Sequence, residues 1–205
     1  IGKDKLEDEA DEIGTWSDDL ELPVGERGEI VVRGPVVTRS YKFEPGPTAL
    51  AKIPVGEHQP GARDREVWHR IGDVAYLDDE GLIWFCGRKS HRLNTSIGTV
   101  LPVPVENIFN TSPLVFRSAL VGVGEVGHEE QILVVQPEPG HMPTTEGERA
   151  GLAQKLFDHV EPNPVTAGVV QILFKADFPV DVRHNAKIHR GELKTWATQT
   201  LAGRG

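Results

Sequence analysis

Two apolar runs joined by a short polar turn constrain the fold of this chain more than any other feature of its sequence. The segment VAYLDDEGLIWFCG, residues 74–87, contains the turn Asp78-Asp79-Glu80-Gly81 between two strand-like runs. Gly81 can adopt the positive φ that tight turns require, so the segment predicts a β-hairpin. We therefore expect β structure to dominate before residue 87.

Local signals of the same kind predict the structure of three other segments within the first 100 residues. The alternating run GEIVVRGPVVTRSY, residues 28–41, predicts a strand, a turn and a second strand. Residues 44–65 are crowded with proline and glycine and predict mostly loop. After Gly87 the run RKSHRLNTSIGTV is basic, polar and short of large apolar groups, which predicts a domain boundary or linker.

Helices and strands alternate in the second half of the chain. The patterns predict helices near 104–111, 145–160 and 188–200, together with the strands FRSALVGV, QILVVQP and VVQILFK. This order predicts an α+β fold, in which a β-rich part (1–88) precedes a small mixed α/β domain (89–205).

Composition excludes several classes of protein. A hydrophobic content of 38% over 205 residues is enough for one large or two small cores. Cys86 is the single cysteine, so no disulfide forms within the chain, and we expect a reducing, cytoplasmic compartment. No apolar stretch in this sequence approaches the ~20 residues that span a bilayer, so we expect no transmembrane segment, and we expect no signal peptide. The chain begins at Ile1 and its only methionine is Met142, so we expect a piece of a longer protein.

The net charge of −9 is concentrated at the beginning of the chain. Residues 1–30 contain eleven acidic and three basic residues and so carry −8 of that charge. An acidic segment with few apolar groups is typical of a solvated edge. The sequence has no basic stripe with interleaved aromatic residues, which argues against a nucleic-acid partner.

Two motifs are set aside. GVGEVG, residues 122–127, fits a dinucleotide-binding glycine pattern but precedes a strand-like run instead of the helix that such a site requires. The eight histidines are scattered, and the pair His184 and His189 has no cysteine or carboxylate at a useful spacing. We therefore expect no metal site formed by this chain.

The hairpin brings two charged residues together. Asp73 and Arg88 flank strands that should pair, although 15 positions separate them in the sequence. A carboxylate there can accept two O–H bonds from a vicinal diol, beside the directed donors of the guanidinium. The alternative interpretation is an ion pair that only closes the hairpin.

A second candidate site lies in the basic loop around Lys187. His184, His189 and Arg190 surround this lysine, and no acid lies within the run 184–190. Such bases repel one another unless an anion binds among them or each points into solvent. The local sequence does not choose between these two alternatives.

Together the two sites resemble a known family. WHRIGDVAYLDDEGLIWFCGRKSHRL resembles the aspartate motif, hairpin and arginine-led hinge of adenylate-forming enzymes, which include acyl-CoA synthetases, and GERGEIVVRGPVVTRSY resembles their upstream glycine-rich strand motif. FPVDVRHNAKIHRGEL resembles their closing element, with matches at Pro179, Lys187, Arg190 and Leu193. The runs FCGRKSHR and VDVRHNAKI look most like the β-lactone synthetases of bacterial long-chain olefin biosynthesis.

The resemblance implies a role for each site residue. Asp73 and Arg88 would bind the ribose of ATP, and Lys187 would contact the acyl carboxylate and the α-phosphate as the catalytic lysine. Ser90, two residues after the arginine, would be the hinge about which the C-terminal domain (89–205) swings as a lid. Residues 1–88 would be the β-rich end of the large N-terminal domain.

The family also implies a reaction and its cofactors. The substrate would be a fatty-acid-like carboxylate, activated with ATP and Mg²⁺, whose ligands lie in an N-terminal domain missing from this sequence. We therefore expect the 205-residue chain to be inactive alone. Ala186 replaces the usual glycine before the lysine, so we expect that loop to be less free. The segment 98–106 is one residue longer than the family pattern. In CoA-using relatives this segment borders the pantetheine channel, so its length puts CoA use in doubt.

Three outcomes stay open. The acyl adenylate of a 2-alkyl-3-hydroxy fatty acid would close to a β-lactone without CoA. A fatty acyl-CoA ligase is the alternative, and a non-catalytic binding module is the remote one.

Overall fold

A computed structural model describes residues 12–56, 66–181 and 187–203. The chain divides into two compact units, Ile1–Ser90 and His91–Gly205. The mixed helix-and-sheet architecture confirms the predicted α+β class. The assignment of residues 1–88 and 89–205 to two functional domains stays a prediction.

The first unit is organised around one long strand. Its elements are β1 (Gly28–Val32), α1 (Pro45–Ala51), β2 (Lys52–Pro54), β3 (Val67–Leu77) and β4 (Ile83–Arg88). Strand β3 pairs antiparallel with the other three strands. Its 11 residues are therefore the element that fixes the positions of all the others in this sheet.

The predicted hairpin is confirmed as β3 and β4. Its turn is held by the carboxylate of Asp78, which accepts hydrogen bonds from the backbone N–H of Leu82 at 2.8 Å and from the indole Nε1 of Trp84 at 2.6 Å. The Trp84 bond is the main reason that the pKa of Asp78 is lowered. Gly81 has a φ of 79°, as the turn requires.

Two predictions for the first unit were wrong. Residues 33–44 contain no strand, because the chain turns at Gly34, whose carbonyl accepts from Val37 N, and Pro35 has no N–H to give to a ladder. The segment 44–65 is not mostly loop where the structure describes it, since α1 and β2 lie there. Pro45 begins the helix, a position where its missing N–H costs nothing.

The second unit is a three-stranded sheet with helices. It contains β5 (Leu93–Thr95), β6 (Gly98–Val100), α2 (Pro102–Phe109), β7 (Val115–Val123), β8 (Glu130–Pro137), α3 (Glu146–Val160), β9 (Val169–Phe174), β10 (Val180–Asp181), β11 (Lys187–Ile188) and α4 (Arg190–Ala202). Strand β8 is central, antiparallel to β7 and parallel to β9. The predicted linker after Gly87 in fact includes the small β5–β6 hairpin.

Both faces of this sheet are buried. Leu120 and Leu133 pack into one core cluster with Phe109 of α2 and Leu156 of α3. The alternate residues of the same strands pack into a second cluster with α4, formed by Ala119, Val121, Ile132, Val134, Leu173, Leu193 and Ala197. A sheet covered on both faces explains why β7 and β8 read as continuous apolar runs.

The glycine-rich run between β7 and β8 is a turn followed by a strand, as predicted. Glu129 lies over Gly122, so that a Cβ at Gly122 would be 2.7 Å from the Glu129 carboxyl carbon. The Glu129 carboxylate is buried, accepts from the backbone N–H of Asn94 at 2.7 Å and pairs with Lys194 of α4.

Helix α3 begins with a capping box. The Thr145 hydroxyl accepts from the N–H of Glu148, and the Glu148 carboxylate accepts from the backbone N–H and hydroxyl of Thr144 and from the N–H of Thr145. These bonds, led by the Thr144 N–H, lower the pKa of Glu148 from 4.5 to about 2.

We expect this capping carboxylate to contribute to acid stability. A folded pKa of about 2, below the ordinary 4.5, gives stabilisation that is complete above pH 4.5 and is lost as the pH falls through about 2. Glu148→Gln should remove this part of the pH dependence, measured by urea unfolding across that interval. The exposed Glu125→Gln variant is the control, and an unchanged pH slope in Glu148→Gln would contradict the assignment.

Candidate active site

Asp73 and Arg88 are direct cross-strand partners on β3 and β4. Arg88 Nε lies 3.0 Å from Asp73 Oδ1. The antiparallel register therefore brings together the two residues that 15 sequence positions separate, as the hairpin predicted. The two side chains therefore form the ion pair that the sequence allowed.

The ion pair leaves binding capacity on both partners. Asp73 Oδ1 is buried and, although Arg88 Nε is close, the N–H is not aligned to donate to it. The Asp73 side chain is 25% exposed and that of Arg88 is 47% exposed. Arg88 Nη1 donates to the Ile71 carbonyl at 3.0 Å, which holds the guanidinium in place. A carboxylate with several acceptor positions, next to a fixed and accessible guanidinium, suits a diol.

The backbone before Asp73 is specialised. Gly72 has a φ of 76° within β3. At the same place the pairing with β1 jumps from Val74↔Glu29 to Arg70↔Val31, so β3 carries extra residues there. Bulges of this kind redirect a side chain and are frequent at functional sites. The positive φ of Gly72 thus bends the backbone of β3 and presents Asp73 at the open end of the hairpin, opposite its turn.

An open groove of about 380 Å³ is lined by Arg88 of this pair. Its lining includes three residues from the middle of β3 and three from the end of β4 onward: Arg70, Ile71, Gly72, Arg88, Lys89 and Ser90.

Three of the residues that line the groove form a buried charge network that the sequence did not predict. The Glu29 carboxylate accepts from Arg70 Nε and Nη2 at 3.0 and 2.7 Å, and Lys89 Nζ lies 3.6 Å from the same oxygen, Oε2. All three residues are less than 9% exposed. The run Arg88-Lys89-Ser90 therefore alternates exposed, buried and exposed.

Lys187 is the first residue of β11 and is exposed. It lies opposite Asp181 in a two-pair ladder with β10, and the N–H of His189 donates to the Pro179 carbonyl at 2.8 Å. The predicted loop residues His184 and Ala186 lie outside the described residues.

Arg190 does not belong to an unpaired basic cluster, and this expectation was wrong. Its guanidinium makes a bidentate pair with Glu106 of α2, with N–O distances of 2.6 and 2.7 Å, and also donates to the Leu120 carbonyl. Glu106 is 84 positions away in the sequence, so local sequence cannot reveal the pairing. The carboxylate of Glu106 accepts from the Leu120 N–H as well.

Ser90 is exposed and lies in a short 3₁₀ turn, Lys89–His91, directly after β4. It is the last residue of the first unit. Its role as a hinge stays a prediction.

Within the ranges 12–56, 66–181 and 187–203 we find no group of three histidine, cysteine or acidic side chains that could hold a metal ion. Over the same ranges, every helix is too short or too polar to cross a membrane.

Comparison with known proteins shows to which proteins this chain is related. No family model matches the chain. It is 43% identical over 195 residues to an olefin β-lactone synthetase of Xanthomonas campestris, a match that covers 91% of this chain and 33% of the relative. An olefin β-lactone synthetase of Stenotrophomonas maltophilia is 41% identical over 192 residues, with 94% and 33% covered. The chain thus spans about a third of the length of these curated relatives.

Solved structures show the fold. The anthranilate CoA ligase AuaEII in complex with anthranoyl-AMP matches with a TM-score of 0.69 at 22% identity, over 93% of this chain and 34% of that one. The O-succinylbenzoate coenzyme A synthetase (MenE) of Bacillus subtilis, in complex with ATP and magnesium ion, matches with a TM-score of 0.64 at 23% identity, over 89% and 34%.

The chain belongs to the adenylate-forming ligase superfamily and has the fold of the C-terminal part of these enzymes. Within the superfamily, its homologues at 41–43% identity over most of the chain are olefin β-lactone synthetases.

We expect the Glu106–Arg190 pair to be essential for the stability of the second unit. Removing one partner of a buried pair leaves an uncompensated charge, so Glu106→Gln should lower the free energy of unfolding by about 3 kcal/mol. Urea unfolding measures the change. The double variant Glu106→Gln/Arg190→Met should lose less than the sum of the two single variants. Additive losses would contradict the coupling, and the exposed variant Glu125→Gln serves as control.

Proposed function

We propose that this chain is the C-terminal part of an ATP-dependent enzyme that activates a fatty-acid-like carboxylate as an acyl adenylate and then closes it to a β-lactone. The observation that carries the proposal is the 41–43% identity to two olefin β-lactone synthetases over more than nine-tenths of the chain. The 2-alkyl-3-hydroxy fatty acid is the substrate class that this reaction requires.

Asp73 and Arg88 bind the ribose of ATP in this proposal. The support is their cross-strand pairing, the exposure of both side chains and the fixed guanidinium. The Asp73 carboxylate accepts the ribose O–H groups, and Arg88 donates from beside it. The alternative of a purely structural ion pair predicts no effect on ATP binding.

Lys187 carries the chemistry of the first step. When the substrate carboxylate attacks the α-phosphorus, negative charge concentrates on neighbouring oxygens, and an ammonium close to them stabilises that arrangement. The exposed position of Lys187 at the start of β11 leaves its ammonium accessible to a substrate. Arg190 is anchored on Glu106, so it serves the position of this segment and not the charge of the site.

Residues 89–205 act as the lid in this proposal, and Ser90 is the hinge. A small, exposed residue in a short turn can absorb large changes of φ and ψ. Lid closure would bring Lys187 to the nucleotide in the adenylation step.

In the second step, the substrate's own 3-hydroxyl attacks the acyl carbon. A carbon–oxygen bond forms within the substrate, the bond to the phosphate oxygen breaks, AMP leaves and the hydroxyl proton is released. Because nucleophile and electrophile belong to one molecule, proximity replaces a second bound substrate. CoA is not required.

The proposal places the Mg²⁺ that accompanies ATP, and the acyl pocket, in the remaining two-thirds of a protein of the relatives' length. The described ranges contain no group of three candidate ligands for the ion. The isolated chain is therefore inactive in this proposal.

A fatty acyl-CoA ligase is the second candidate. It is favoured by a 32% identity over 127 residues, 60% of this chain, to the long-chain-fatty-acid–CoA ligase of Escherichia coli. The two candidates share the adenylation step and differ in the acceptor.

The product separates the two candidates. We expect the full-length protein that contains this chain to release AMP and form a β-lactone from ATP and a 2-alkyl-3-hydroxy fatty acid, equally with and without CoA. The matched substrate that lacks the 3-hydroxyl should support ATP–pyrophosphate exchange but no AMP release. Thioester formed only with CoA would overturn the β-lactone proposal and favour the ligase.

The nucleotide role of Asp73 has its own test. Asp73→Asn in the full-length protein should raise the KM for ATP by about tenfold, the value of one hydrogen bond to a charged group. ATP–pyrophosphate exchange measures it, with Asp79→Asn in the exposed turn as control. An unchanged KM would favour the structural ion pair.

A further inference from the structure

Lys89 is buried between two exposed residues at the end of β4. Its side chain is 9% exposed, while Arg88 before it and Ser90 after it face solvent. The ammonium group lies 3.6 Å from Glu29 Oε2 of β1. The chain is therefore pinned one residue after the arginine that is proposed to bind ribose.

The strand ladder by itself gives little support to the pairing of Asp73 with Arg88, which directly precedes Lys89. Asp73↔Arg88 is the last pair of β3 and β4, and only one more pair, Val74↔Gly87, precedes a shift of register at Cys86. Ladder ends open more readily than their centres. A two-residue ladder end beyond an irregularity needs another contact to hold its geometry.

The need to neutralise the Glu29 carboxylate does not by itself explain why Lys89 is buried next to it. Arg70 already donates two hydrogen bonds to the Glu29 carboxylate and thereby links β1 to β3. A second buried cation carries a desolvation cost that this linkage does not require. The contact of Lys89 with Glu29 instead ties the backbone directly after Arg88 to strand β1.

We propose that Glu29, acting through Lys89, is a positioning residue for Arg88 in nucleotide binding. The inference rests on the proposed function of the Asp73–Arg88 pair. The contact between Lys89 and Glu29 holds the end of β4 in register, so that the Arg88 guanidinium stays beside Asp73 and keeps its hydrogen bond to the Ile71 carbonyl. It also places the border of the rigid sheet between Lys89 and Ser90.

The test is a double-mutant cycle between Lys89 and Arg88 in the full-length protein, with the KM for ATP in pyrophosphate exchange as readout. Lys89→Met should raise this KM by about tenfold in the wild-type background and by less than about twofold in the Arg88→Ala background. The isosteric Glu29→Gln variant should show the same dependence on Arg88. Lys89→Arg, which keeps the charge, should stay within about twofold of wild type.

Thermal unfolding and the exposed variant Lys42→Met are the controls. A purely structural role of Lys89 would lower the melting temperature and raise the KM equally in both backgrounds, which would overturn the inference. An unchanged KM in Lys89→Met, with a raised KM in Arg88→Ala, would also overturn it and leave the nucleotide site standing. If Arg88→Ala itself leaves the KM unchanged, the proposed nucleotide site fails, and the inference fails with it.

Discussion

Strand β3 is the constraint on which the first unit depends. It pairs with β1, β2 and β4, and it carries both Arg70, which anchors Glu29, and Asp73, which faces Arg88. Antiparallel register converts sequence distance into contact, since a hairpin folds position 88 back onto position 73. The β1–β3 ladder shifts register across residues 71–73, and the β3–β4 ladder shifts between Val74 and Ala75. The irregular part of β3 is therefore the part that presents Asp73.

The cations of the two basic runs divide into anchored and accessible residues. In each run one base is held by a distant, buried carboxylate: Lys89 by Glu29, and Arg190 by Glu106. A neighbour in the same run, Arg88 or Lys187, remains exposed. A basic run in the sequence thus need not be a cluster of free charge, because some of its members fix the backbone from which the others extend.

Local sequence predicted the features that depend on local rules. The β3–β4 hairpin followed from its turn residues, and β7, β8 and the helix α3 followed from apolar periodicity. The prediction from local sequence failed for residues 44–56, because proline occurs both in loops and at the first position of helices. Pro45 begins a helix in a segment that was predicted to be loop. The partners Glu29 and Glu106 could not be predicted, because each pairs with a cation 60 or more positions away and no local pattern encodes such a contact.

The close packing of Glu129 over Gly122 determines how this position tolerates amino-acid replacement. The carboxylate there is held by Lys194 and by the Asn94 amide, so it is not free to move aside. A single added methyl group already meets it at 2.7 Å. Alanine should therefore be nearly as poorly tolerated as leucine or aspartate in a saturation library, because the first carbon of any side chain, and not its size or polarity, decides the outcome.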